Sequence, residues 1–163
     1  MTRYFSPENQ PREEKIMREL ISKVDAITEQ YLERFGKVRI GIYYIVLPRH
    51  DAISSFLNSL LITLRRKDLM PCYAWFSTSV PNTRYLILWC NGYFRTDLSD
   101  ITPTARRIGV LHSMYRLGEI NCFTGDVRAL ENINAQLNTL IAWNYAPIAQ
   151  PHNRSFGTSA LLR

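Results

Sequence analysis

The chain has 163 residues, 46% of them hydrophobic and 12% aromatic, which suits one folded domain and excludes both a disordered tail and two ordinary domains. Its formal net charge is +6 and its isoelectric point about 9.4, a balance that favours polyanions or an acidic protein surface without choosing between them. The opening Met1 to Pro7 lacks the apolar core of a secretion signal, and the longest apolar-leaning stretch, Ile40 to Leu47, is too short to cross a bilayer, so a cytoplasmic protein without membrane contact is expected.

In chain order, Ser6 and Pro7 read as a helix start. Apolar residues then recur at Ile16, Leu20, Val24, Ile27, Tyr31 and Leu32, a helical spacing that Gly36 ends as a C′ residue. Lys37 to Leu47 is rich in Ile, Val and Tyr and reads as a central strand closed by Pro48. Asp51 is placed to cap a helix whose apolar face carries Ile53, Phe56, Leu57, Leu60, Leu61 and Leu64, and Arg65-Arg66-Lys67 suits its last turn.

Cys72 to Ser79 and Tyr85 to Cys90 read as two strands joined at Val80-Pro81-Asn82, with Asn91-Gly92 closing the second. Asp100 or Thr102 then caps a predicted helix through Ala105, Ile108, Leu111, Met114 and Tyr115, ending near Gly118. A short strand near Ile120 to Phe123 follows, then a helix opened by Asp126 through Val127, Leu130, Ile133, Leu137, Leu140 and Ile141. The residues after Pro147 read as an extended arm.

This order predicts one α+β domain over 1–163: an N-terminal helical segment over 1–36, a core over 37–146 and an extended C-terminal arm over 147–163. The expected core is a ferredoxin-like, mostly antiparallel sheet with its helices on one face.

Motifs for nucleotide, hydrolase or zinc-protease chemistry are absent. Cys72, Cys90 and Cys122 are scattered without CxxC spacing and read as reduced core residues, and His50, His112 and His152 stand apart from one another. The expectation is therefore a non-enzyme with no cofactor and no metal. Two sets of residues are candidates for binding. Arg65, Arg66, Lys67, Arg106 and Arg107 could meet phosphate or an acidic partner, although short charge runs usually cap helices. Tyr73, Trp75, Tyr85 and Trp89 alternate along the two hairpin strands and suggest an aromatic face, either core or a docking surface.

Tyr73-Ala74-Trp75, the run Arg84 to Gly92, Ala105 to Gly109 and the tail Arg154-Ser155-Phe156-Gly157-Thr158-Ser159 together resemble the inovirus Gp2 (YagK–YfjJ) family, over roughly residues 31 to 160. That family occurs in phages, prophages and satellite elements and is similar to rolling-circle replication initiators of the HUH type. The resemblance implies a His-x-His pair holding a divalent metal and a late tyrosine that attacks the DNA phosphate. Here those positions fall on Thr83 and Tyr85, and on Leu140 within Leu140-Ile141-Ala142-Trp143. Neither Thr83 nor Tyr85 replaces an imidazole ligand, and leucine is no nucleophile. Tyr145 stays open as a displaced nucleophile.

The resemblance thus implies a fold kept after its chemistry was lost. It points to a satellite or prophage protein that binds a phage or host protein, first of all the small terminase subunit of a helper phage, and so redirects DNA packaging. The alternative is a DNA-binding replication or transcription regulator. An oligomer is compatible with either.

Overall fold

The computed structural model describes residues 10–91, 113–123, 125–148 and 154–159. The elements are α1 (Gln10–Phe35), β1 (Lys37–Val46), a 3-10 turn (His50–Ala52), α2 (Ile53–Arg66), β2 (Cys72–Ser77), β3 (Thr83–Asn91), β4 (Ser113–Phe123), α3 (Val127–Asn144) and β5 (Phe156–Thr158). No helix among the described residues is long and apolar enough to cross a membrane.

The strands form one sheet in the order β4-β1-β3-β2-β5, and every neighbouring pair is antiparallel. β1 and β2 both run against β3, so they are parallel to each other, with α2 between them in sequence. The first four strands therefore have the expected ferredoxin-like order, and β5 extends the sheet beyond β2. The C-terminal arm is thus partly a strand: Phe156 pairs with Phe76 and Gly157 with Trp75. Ser77 donates to the carbonyls of Ala146 and Ser155, and the Ser159 amide donates to Tyr73 O at 2.9 Å.

Alternation along the strands builds two cores. Tyr43, Ile45, Trp75, Leu86, Leu88 and Cys90 pack with α2. Val38, Ile40, Cys72, Ala74, Phe76, Ile87 and Trp89 pack with α1 and α3. Helices therefore cover both faces of the sheet, not one. A strand buried on both sides needs apolar residues at successive positions, which explains the unbroken run Leu86 to Cys90.

Local signals explain most element ends. Gly36 has φ 75° and its amide donates to Leu32 O at 2.8 Å, which closes α1 in a left-handed turn. Asp126 caps α3 by accepting the Ala129 amide at 2.9 Å. Asp51 does not cap α2; it pairs with Arg49 at 2.8 Å, and the 3-10 turn leads into the helix instead. All six predicted apolar residues of α2 are buried. Ser6 and Pro7 lie outside the described residues.

The predicted helix ending near Gly118 is overturned at its C-terminal part. Met114 and Tyr115 lie in β4, which is much longer than the short strand expected at Ile120 to Phe123. Pairing with β1 along ten positions overrides a local helical spacing. Asp100 to Leu111 lies outside the described residues.

Candidate functional site

The strand registers place five aromatic residues in one row across the whole sheet. Tyr115 of β4 pairs with Tyr44 of β1, Tyr44 with Tyr85 of β3, Tyr85 with Phe76 of β2, and Phe76 with Phe156 of β5. Directly paired residues share a face, here the α1/α3 face to which Tyr85, Phe76 and Phe156 belong. Tyr44 and Tyr85 meet edge-on at 5.3 Å between ring centroids, and Tyr85 stacks on Phe76 at 5.2 Å with 12° between planes. Such pairs add roughly 0.5–1.5 kcal/mol each beyond the area they bury.

A β-bulge makes this row. The β1–β4 register shifts between Ile42 and Tyr43, so Ile42 faces Gly118 while Tyr43 faces Arg116. Leu117 is the extra residue. Were Leu117 paired in regular register, Tyr43 would face it, Tyr44 would face Arg116, and Tyr115 would fall out of line.

The row grades from core to surface. Phe76 is buried, Phe156, Tyr85 and Tyr44 are half-buried, and Tyr115 is 56% exposed. Tyr85 is fixed by donating to Asn144 Oδ1 at 3.1 Å, and Asn144 in turn donates to Leu140 O at 2.8 Å. Burial, with Tyr44 alongside, raises the Tyr85 pKa above its ordinary value. The open end is Tyr115 on the edge strand β4, with Tyr44 beside it on β1; β4 also exposes Leu117 and, on the opposite face, Phe123.

The four aromatic residues read from the hairpin do not form one face. Cys72 pairs with Trp89 and Phe76 with Tyr85, so Tyr73 and Trp75 point to the α2 side and Tyr85 and Trp89 to the other. Trp89 is 0% exposed and donates to Thr28 Oγ1 at 2.9 Å, and Trp75 is buried. Tyr73 is partly buried against the α2 core. Of the four, only Tyr85 belongs to the aromatic row.

The positions that the resemblance would set against catalytic residues are occupied as follows. Thr83 is buried, with its hydroxyl bonded to Val80 O at 2.8 Å and to the Thr78 hydroxyl. Leu140 packs against the α1/α3 core, Ile141 is buried, and Trp143 is exposed. Tyr145 is 0% exposed; its hydroxyl donates to Glu13 Oε2 at 3.2 Å and bonds Ser155 Oγ at 2.8 Å. Burial pushes its pKa up to about 12, the direction that weakens a phenol as a nucleophile. Among the described residues, no group of three or more His, Cys, Asp and Glu is placed to hold a metal ion.

Arg65, Arg66 and Lys67 are exposed at the end of α2. Arg106, Arg107, His112 and His152 lie outside the described residues. The three cysteines are free and buried, Cys72 and Cys122 on the α1/α3 side and Cys90 on the α2 side.

In comparisons with known proteins, no family model, curated protein or solved structure matches the chain.

Proposed function

We propose that this chain is a non-catalytic binding module of a phage satellite or prophage, which grips a helper-phage protein and so redirects DNA packaging. The observation that carries the binding reading is the aromatic row and its open end at Tyr44 and Tyr115. Aromatic anchors held rigid on a sheet contribute most to protein interfaces, because they bury much area at little entropic cost. Exposed Leu117, at the bulge of the same strand, supplies further apolar surface. The chemistry at Thr83, Tyr85 and Leu140 supports a non-catalytic role. The small terminase subunit as first target rests on the family resemblance.

The test is titration of the purified chain with a helper phage's small terminase subunit. A Tyr44→Ala/Tyr115→Ala pair is expected to weaken binding by about tenfold or more, since each anchor is worth about 1–2 kcal/mol or more. Unchanged affinity in a folded double variant would remove the aromatic row from the interface. No binding of the parent chain would remove the terminase target.

A second reading is a DNA-binding regulator that shares ancestry with replication initiators. The same row supports it, because every base offers a face that stacks on tyrosine, and so does the +6 charge. Here affinity for a single strand should fall steeply with salt. Binding that ignores salt, or no binding at low salt, would rule it out.

A further inference from the structure

Away from the aromatic row, on the α2 side of the sheet, β3 holds a buried cation. Arg84 is 2% exposed. Its Nη1 donates to Thr83 O at 2.7 Å and its Nη2 to His50 O at 3.2 Å, while its Nε is buried with no partner among the described residues. The guanidinium lies 5.5 Å from the centre of the Trp75 ring. Among the described residues no carboxylate pairs with it, and burial alone holds its pKa below the ordinary arginine value. Two carbonyls and a ring face offset only part of a desolvated charge, so the arrangement is costly without an anion.

A cavity of about 240 Å³ opens beside this cation. Its wall includes His50, Thr78, Ser79, Asn82 and Arg84, and among the described residues no acidic one. The rim is the β2–β3 turn, held by the Val80 amide donating to Thr78 Oγ1 at 3.1 Å and by Asn82 at φ 60°. The Ser79 hydroxyl and the Asn82 amide make no side-chain hydrogen bond among the described residues.

We infer that the cavity beside Arg84 is a binding site for a tetrahedral oxyanion of the phosphate class. A charged hydrogen bond to the unpaired guanidinium would supply the missing countercharge. Hydroxyl and amide donors on the turn are the usual companions of arginine around phosphate. A carboxylate offers acceptor oxygens in one plane only, whereas a tetrahedral anion offers them in three dimensions, which suits donors spread around a cavity wall. The inference is independent of the partner at the aromatic row, because the two sites belong to opposite faces of the sheet.

The experiment measures the melting temperature of the full chain, and its arginine Nε–H signals by NMR, in phosphate, sulfate, acetate and chloride at equal ionic strength. Phosphate and sulfate at ten times Kd are expected to raise the melting temperature by about 3–6 °C and to shift the Arg84 Nε–H signal; acetate and chloride should do neither. Arg84→Met should lose the phosphate response. If that variant does not fold, Ser79→Ala/Asn82→Ala should weaken phosphate binding by about tenfold while leaving the fold intact. Competition with a short single-stranded DNA separates the carriers: displacement by phosphate identifies a nucleic-acid phosphate, and indifference to DNA identifies a small phosphate ligand. Either result supports the site. A parent chain that ignores saturating phosphate, or responds equally to acetate, would overturn it, as would a folded Arg84→Met variant that keeps the full response.

Discussion

Trp89 offers the sharpest test of how the sheet faces are assigned. It is the largest fully buried side chain, seated among Leu20, Val24, Ile27 and other residues of the α1/α3 core. Trp89→Ala removes the indole from that core, and truncations of this kind cost about 3–5 kcal/mol. The lost bond to Thr28 adds little, because the Thr28 hydroxyl still donates to Val24 O at 3.1 Å. For a domain of this size each kcal/mol shifts the melting temperature by about 2–4 °C, so a drop of roughly 6–20 °C is expected. Trp89→Phe keeps most of the apolar volume and should lose roughly half as much. Tyr115→Ala, at an exposed position, should stay within about 0.5 kcal/mol of the parent. Urea unfolding followed by circular dichroism measures all three. A Trp89→Ala variant within about 1 kcal/mol of the parent would refute the burial of this face.

Three further perturbations follow from local geometry. A Cβ at Gly157 would run into the buried Trp75 ring, so Gly157→Ala should cost about 1–3 kcal/mol and free β5 from β2, read as faster amide exchange at Ser159. Because folding raises the Tyr145 pKa from 10.0 to about 12, its contribution is whole below pH 10 and lost as pH climbs through about 12. Tyr145→Phe should therefore flatten the alkaline unfolding profile without abolishing its slope, since burial raises Tyr31 and Cys90 in the same direction; an unchanged profile would count against the buried phenol. Asp126→Ala removes the acceptor for the Ala129 amide and should cost about 1 kcal/mol in urea unfolding, with Asp126→Asn recovering most of it.

The helices α1, α2 and the body of α3 were legible because helical periodicity is local and survives any tertiary arrangement. The hairpin strands were legible for the same reason, but the face of each side chain was not. That depends on register, and a slip of one residue exchanges the faces of a whole strand. Tyr73 and Trp75 look matched to Tyr85 and Trp89 by alternation alone, yet the observed pairing sets even positions of β2 against odd positions of β3. The aromatic row was hidden for a related reason: Tyr44 and Tyr115 align only through the bulge at Leu117, which no local pattern marks. β4 was misread because an edge strand exposes apolar residues such as Tyr115, Leu117 and Phe123, which blurs its alternation. Nothing in the local sequence marks Arg84 as buried; its burial comes from Trp75 and the His50 turn, more than 30 residues away from it in one case.

The two margins of the sheet are unequal, and that inequality sets a valence. At one margin β5 offers three residues, too short to template a neighbour well. At the other, β4 runs for 11 residues and, among the described residues, pairs only with β1. A molecule with one long margin and one blunt margin can join through strands once. Two copies meeting β4 to β4 would spend both long margins and leave only the blunt ends, so such joining closes at a pair and does not propagate into a fibre.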